Sequence, residues 1–287
     1  MIQAIVSGLA LGSIYALVAM GFYVTYKAST TMNFGQGDAV VLGGMSLAGI
    51  VSAWQLPYGL AAVLTIVILA IYGALIYLVG IRPLSELASM RWIITTLGLG
   101  LITANIMAVV WGATVRPVPT PLDREPVNIF GAGIFPAQLV VIAASAILTI
   151  ALSLGVNRTR LGYSFKTVAY SHDVARLQGI NVTVIIFGAF ALSGALAGLA
   201  GILVGPISNI GAYLGLPLAI KGFAAAIVGG LENPIGVYIG GLLIGLLEAV
   251  ALRFTSNFGD VVVFAVMILV LVIRPQGLLA PRKLRVV

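Results

Sequence analysis

The chain has 287 residues, of which 61% are hydrophobic and only 8% are charged. An average soluble domain is about 45–50% apolar and about 25% charged, so this composition excludes a soluble enzyme and a nucleic-acid-binding domain. The formal net charge of +7 is attributed to membrane orientation, because Lys and Arg accumulate in cytoplasmic loops. The sequence contains no Cys and a single His, so we predict neither a metal site nor a catalytic site.

Nine hydrophobic segments are candidates for membrane-spanning helices, which need about 20 apolar residues each. The segments lie at 2–26, 39–54, 58–80, 92–111, 137–156, 182–204, 214–231, 235–251 and 261–273. The first segment has no preceding Lys or Arg and is too long for a signal peptide, so we expect it to be retained. Some segments could be broken or half-spanning, and we therefore expect eight to ten crossings in one all-α polytopic membrane domain over residues 1–287.

The distribution of cations predicts which side of the membrane each loop occupies. Lys and Arg cluster in residues 82–91, in the loop 157–181 and in residues 274–285. The positive-inside rule places these regions and Lys27 in the cytoplasm. This orientation puts the C-terminus inside and the N-terminus outside. The loop 112–136, which has five Pro residues, is too Pro-rich for a helix and is predicted to form an ordered external cap.

The polar segment 31–38 interrupts the hydrophobic pattern near the start of the chain. One interpretation is a broken helix that lines a cavity, as in transporters, where irregular backbone is tolerated inside the protein. The other is an interfacial turn in which Asp38 caps the next helix. The spacing alone leaves both interpretations open.

Lys221 is a second anomaly, because an ammonium within a span costs roughly 2.5–3.5 kcal/mol unless it is paired or reaches the interface. One interpretation is that it extends to the interface; the other is that it pairs with Asp38 or acts as a positive group on a transport path. Glycine pairs four residues apart predict close helix packing. These pairs are Gly8 and Gly12, Gly194 and Gly198, Gly236 and Gly240, and Gly241 and Gly245.

The predicted cytoplasmic loop 157–181 has the pattern of two short helices. Residues 163–170 are predicted to form the first helix, and Asp173 is expected to cap the second at 174–178. Gly179 fits the position after a helix end, and Asn181 is expected to cap the next span. Such a pair could dock into a partner protein. A solvated basic connector is the alternative, since inner loops are generally basic.

Several strings, taken together and in order, resemble the LivH-type permease of branched-chain amino acid ABC importers. They are GSIYALVAMG at 12–21, MNFGQGD at 32–38, RLG at 160–162, ARLQGIN at 175–181, SGALAGLAG at 193–201, KGFAAAIVGGL at 221–231, NPIG at 233–236 and RPQGL at 274–278. The resemblance covers nearly the whole chain. It implies an all-α fold of the type II ABC importer kind in the bacterial inner membrane.

The resemblance also implies partners and functional residues. The partners are a second homologous permease, two cytoplasmic ATPases that bind ATP and Mg²⁺, and a periplasmic or extracellular binding protein; this chain is expected to bind no cofactor and to have no ATPase activity. The candidate path residues are Asn33, Phe34, Gln36, Asp38, Lys221 and Phe223. The candidate ATPase-coupling residues are Arg160, Gly162, Asp173, Ala175, Arg176 and Gly179.

The sequence departs from the family pattern at two places. Gln36 stands where many relatives have His, and Ser171, His172 and Asp173 stand where an acidic residue and Pro are frequent. These departures affect the prediction of the substrate more than the prediction of the protein family. The expected substrates are branched-chain or other hydrophobic amino acids, with urea, short amides or aromatic acids as alternatives. An ion-coupled secondary transporter is a further alternative, suggested by the two interrupted segments.

Overall fold

The chain is helical almost throughout, as predicted. The computed structural model describes residues 2–84, 90–122, 125–129, 132–254 and 258–279. Its helices are α1 Ile2–Ser29, α2 Gln36–Trp54, α3 Tyr58–Ile76, α4 Arg91–Trp111, α5 Pro136–Arg158, α6 Arg160–Tyr170, α7 His172–Leu177, α8 Val182–Val204, α9 Gly215–Gly229, α10 Pro234–Ala251 and α11 Phe258–Ile273. A π-helical turn, Tyr77–Ile81, extends α3.

Seven helices in the described ranges are long and apolar enough to cross a membrane. These helices are α1, α2, α3 with its π-helical turn, α4, α5, α8 and α10. The remaining two hydrophobic segments form the shorter apolar helices α9 and α11. The nine predicted segments therefore all correspond to helices, seven of them long enough to span a membrane and two of them shorter.

Helix α1 lies at the centre of the bundle and packs against α5, α8, α9 and α10. Most of its residues from Gly8 onward are buried. Glycine makes the closest of these contacts possible: a Cβ on Gly12 would lie only 2.7 Å from the carbonyl oxygen of Gly241 and 2.8 Å from Cα of Leu242. The small-residue spacing thus produces tight helix packing within the chain, as predicted.

The interruption at 30–35 is irregular backbone between α1 and α2, and its residues 31–33 and 35 are buried. Thr30 has a φ of 58°, and Asn33 is 3% exposed. Side chains satisfy two of the free amides: the Gly35 amide donates to Oδ1 of Asn33 at 3.1 Å, and the Phe34 amide donates to Oγ1 of Thr96 at 3.2 Å. Because side chains accept these hydrogen bonds, irregular backbone is tolerated inside a membrane protein.

The alternative interpretation of Asp38 as a helix cap is wrong. Helix α2 begins at Gln36, and Gly35 occupies the cap position without a side-chain hydrogen bond. Asp38 lies within the first turn, where a carboxylate still interacts favourably with the helix dipole.

The Pro-rich segment after α4 contains no helix in its described residues, as predicted. It contains a small antiparallel hairpin of β1 Val127–Ile129 and β2 Ala132–Ile134. The backbone of Arg116 also exchanges two hydrogen bonds, of 2.8 and 2.9 Å, with Ile210 in the α8–α9 connection. These bonds join two loops at the same end of the bundle and order the cap.

Candidate translocation path and coupling surface

Two of the predicted path residues meet in an aromatic cluster beside the interruption. The rings of Phe34 and Phe223 have centroids 5.3 Å apart. Phe22 of α1 lies 5.9 Å from Phe34 and 6.0 Å from Phe223, and Trp92 stacks on Phe34 at 6.1 Å. Such aromatic pairs contribute about 0.5–1.5 kcal/mol each beyond their buried area. The cluster therefore links α1, the interruption, α4 and α9.

Gln36 lies in a buried hydrogen-bond network that joins three helices. Its Nε2 donates to the Ser193 carbonyl at 3.0 Å, and its Oε1 accepts from Oγ of Ser193 at 2.9 Å. Oγ of Ser193 also lies 3.1 Å from the carbonyl of Gly21 in α1. Gln36 and Ser193 therefore tie α2 to α8 beside α1.

Asp38 is a buried carboxylate, 6% exposed. It packs against Gly100 of α4 and Gly215, the first residue of α9, and at both positions a Cβ would collide with its oxygens. Within the described residues it forms no ion pair. The N-terminal end of α9 beside it has positive partial charge, which favours the carboxylate.

The predicted pairing of Asp38 with Lys221 is corrected by the structure. The ammonium of Lys221 lies 2.6 Å from Oε1 of Glu248 in α10 and 2.8 Å from Oδ1 of Asp260 in α11. It also lies 5.8 Å from the ring centroid of Tyr15. The two anomalies of the sequence belong to different clusters, because Asp38 packs at the start of α9 and Lys221 faces α10 and α11.

The loop 157–181 folds into the two predicted helices, with different starting points. Helix α6 begins at Arg160, earlier than predicted, because Oγ1 of Thr159 accepts from the Gly162 amide at 3.0 Å. Helix α7 is capped by Ser171, whose Oγ accepts from the Val174 amide. The prediction of Asp173 as the cap is therefore wrong; Asp173 instead lies 3.6 Å from Arg176 in an exposed ion pair.

The end of the helix pair agrees with the prediction. Gly179 follows α7 with a φ of +75°, a conformation that favours glycine. Oδ1 of Asn181 accepts from the Val184 amide at 3.3 Å and caps α8. Ala175 is fully buried, and Gly162 packs against the backbone of α5. These contacts fix α6 and α7 against the bundle.

The helix pair presents apolar side chains away from the bundle and contacts the end of α1. Leu177 is 88% exposed, and Leu161 and Tyr170 are also exposed. Nε2 of His172 lies 3.2 Å from the Ala28 carbonyl, in the last turn of α1. Because a carbonyl can only accept a hydrogen bond, Nε2 of the imidazole is the donor and carries the proton.

Sequence reasoning missed several residues of these clusters. Phe22 and Trp92 were not selected because aromatic residues in an apolar span give no signal of a cluster. Ser193 adjoins the small-residue pair Gly194 and Gly198, and Asp260 is far from Lys221 along the chain, so neither residue gave a signal of its partner. The polar capping pattern of Ser171, three residues before Val174, could have been found from the sequence.

A sequence model of the family described as "Branched-chain amino acid transport system / permease component" matches residues 4–271. The chain belongs to this family. It is 30% identical to the high-affinity branched-chain amino acid transport system permease protein LivH of Escherichia coli K12, over 97% of this chain and 95% of LivH. The corresponding BraD protein of Pseudomonas aeruginosa is also 30% identical, with the same coverage. A probable LivH of Methanocaldococcus jannaschii is 29% identical over 93% of this chain and 88% of the relative.

Membership of this family makes the chain a permease component of an ABC transport system. Such permeases work with ATPase subunits and a binding protein. The multiple apolar helices agree with a multi-pass protein of the inner membrane.

Proposed function

We propose that the chain is the membrane-spanning subunit of a binding-protein-dependent importer for branched-chain or other hydrophobic amino acids. The proposal is supported by similarity along nearly the whole length of permeases named for this substrate class. In this proposal ATP and Mg²⁺ are bound by separate subunits, and this chain neither hydrolyses ATP nor binds a cofactor. The sequence has no Gly-Lys dipeptide and hence no Walker A lysine.

The proposed assembly contains one copy of this chain, a second homologous permease and two ATPases, with a binding protein on the outer face. The C-terminus and the helix pair α6–α7 face the cytoplasm. Cations at the ends of three elements support this orientation, since Lys27, Arg158 and Arg176 all lie on the side of α6 and α7.

The observation that best supports coupling is the contact between α7 and α1. Leu177 and Tyr170 are available to an ATPase, whereas His172 reaches the last turn of α1. Movement of α7 would be passed to the end of α1, immediately before the interruption at 30–35. The candidate coupling residues then shape, orient or cap this docking element. They are Arg160, Gly162, Asp173, Ala175, Arg176 and Gly179.

The proposed path runs along the interruption, α4 and α9. Phe34, Phe223 and Trp92 supply an apolar constriction that fits hydrophobic side chains. Asn33 and Gln36 hold the irregular backbone and the adjacent helices in place. Asp38 is the acidic residue nearest in sequence to the interruption. Its carboxylate would attract the ammonium group of an amino acid substrate and repel the substrate's carboxylate.

Reconstitution tests the proposal. The chain, its partner permease, the ATPases and the binding protein are inserted into liposomes, and uptake of radiolabelled leucine is measured with and without ATP. We expect uptake to require both ATP and the binding protein. Uptake by the chain alone that an ionophore abolishes would establish a secondary transporter instead, and uptake of urea or aromatic acids but not leucine would change the substrate.

A matched pair of variants tests the coupling surface. Leu177→Glu replaces an exposed apolar side chain on α7, and Tyr213→Glu replaces an exposed aromatic side chain in the α8–α9 connection. Leu177→Glu is expected to reduce ATPase co-purification, whereas Tyr213→Glu leaves it unchanged. Equal ATPase recovery with both variants would contradict the assignment of α7.

A further inference from the structure

A groove of about 370 Å³ lies where α6 crosses the ends of three spans. Lys27 from the last turn of α1, Asn157 from the last turn of α5 and Pro234 at the start of α10 line one side. Phe165 and Lys166 of α6 line the other. The volume lies within the range of about 300–1,000 Å³ that is typical of ligand sites.

The groove contains two cationic side chains, Lys27 and Lys166. Neither Lys27 nor Lys166 forms an ion pair within the described residues. Nζ of Lys166 donates to the neutral Oδ1 of Asn157 at 2.7 Å and lies 5.8 Å from the ring centroid of Tyr163. The groove therefore retains two ammonium groups that can contact an anion.

The other titratable groups of the groove leave its charge positive. Glu232 of the α9–α10 turn also lines it, together with Tyr23 and Tyr170. One carboxylate against two ammonium groups leaves a charge of about +1 at neutral pH.

The position of the groove matches the level of phospholipid headgroups. Three helices that qualify as membrane spans end or begin in it, so its polar groups lie at the edge of the hydrocarbon layer. Val156 and Phe165 add apolar wall beside the ammonium groups. Basic pockets between spans on the cytoplasmic side are suited to anionic headgroups.

We propose that this groove binds the phosphate of an anionic phospholipid through Lys27 and Lys166. The proposal concerns a site separate from the path and from Leu177 on α7; it shares only Tyr170 with the proposed coupling surface. The bound lipid would join α1, α5 and α6, the elements that support the coupling helices. Asn157 orients Lys166 through its hydrogen bond, and the apolar wall receives the part of the lipid next to the headgroup.

The test uses the full chain, purified in mild detergent and freed of lipid, and measures bound lipid by native mass spectrometry. The probes are dioleoyl-phosphatidylglycerol and dioleoyl-phosphatidylcholine. We expect the anionic lipid to bind preferentially. One Lys near an anionic surface contributes about 1 kcal/mol, so Lys27→Gln and Lys166→Gln should each weaken binding about fivefold. Arg91→Gln, which removes a cation at the start of α4 outside the groove, is the matched control and should bind like the parent.

Charge-preserving variants and a soluble anion complete the test. Lys27→Arg and Lys166→Arg should retain lipid binding, and melting temperatures identify any variant that fails to fold. Equal binding of both lipids, or an equal loss with Arg91→Gln, would overturn the proposal. Displacement of the lipid by equimolar inorganic phosphate would assign the groove to a small anion. Loss of ATPase co-purification with unchanged lipid binding in the Gln variants would assign it to protein contact.

Discussion

The ammonium of Lys221 lies 2.6 Å from Oε1 of Glu248, and this ion pair joins α9 to α10 inside the bundle. The two side chains are 19% and 6% exposed, whereas Asp260, the second partner of Lys221, is 69% exposed. Water therefore screens the contact with Asp260 far more than the contact with Glu248. The ion pair with Glu248 therefore contributes more to helix packing than the contact with Asp260 does.

Removal of Lys221 is expected to destabilise the bundle strongly. Lys221→Met leaves the buried Glu248 without its cation, and breaking a buried pair in this way typically costs about 3–5 kcal/mol. The measurement is the unfolding temperature of the purified chain in detergent or nanodiscs, together with the yield of monodisperse protein.

Two further variants control this prediction. Asp260→Asn should lower the free energy of unfolding by no more than about 1 kcal/mol, because the ion pair of Asp260 with Lys221 is exposed on the Asp260 side. The double variant Lys221→Met with Glu248→Leu should recover much of the loss, since it removes both charges. Equal destabilisation by Lys221→Met and Asp260→Asn would show that the buried ion pair with Glu248 stabilises the bundle no more than the exposed one with Asp260.

The sequence predicted the membrane class and the helical segments because hydrophobicity along one chain is local information. It also located the interruption, which was predicted at 31–38 and lies at 30–35, and the end of α7, where Gly179 and Asn181 have local capping roles. Gly12 was correctly assigned to close packing, since small residues four apart generate such contacts.

The partner of Lys221 could not be predicted, because it depends on how α9, α10 and α11 pack. Asp38 and Lys221 were the two most conspicuous charges, yet Glu248 near the end of its span proved to be the buried partner. The aromatic cluster is equally non-local, since Phe22 and Trp92 come from distant segments. The cap of α7 was missed for a different reason: Asp173 and Ser171, two residues apart, are both residue types that favour the cap position.

The α1–α10 contact is expected to tolerate no added methyl group. In Gly12→Ala the new Cβ would meet the backbone of Gly241 and Leu242 at 2.7–2.8 Å, so the two helices must separate. Overpacking of this kind costs typically about 1–3 kcal/mol. Gly188→Ala in α8, where a Cβ meets open space, is the matched control and should not lower the unfolding temperature. A Gly12→Ala variant as stable as Gly188→Ala would contradict the tight contact.

The turn after α7 is expected to depend on the left-handed conformation of Gly179. A β-branched residue is strongly disfavoured at a φ of +75°, whereas Asn visits this region more readily. Gly179→Val should therefore reduce ATPase co-purification with little change in the melting temperature of the membrane bundle. Gly179→Asn, the matched variant, should retain most of the binding. Equal effects of Val and Asn would indicate that side-chain volume, not backbone conformation, matters at this position.

His172 is expected to transmit the movement of α7 to α1. Its Nε2–H donates to the Ala28 carbonyl at 3.2 Å, one of the last carbonyls of a helix, which lack an amide partner within the helix. His172→Ala removes this link but leaves the exposed face of α7 intact. We expect ATPase binding to persist and leucine transported per ATP hydrolysed to fall several-fold. His172→Gln can still donate a hydrogen bond and should preserve part of the coupling. A parental transport-to-hydrolysis ratio in His172→Ala would show that α7 acts on the bundle through other contacts, such as the buried Ala175.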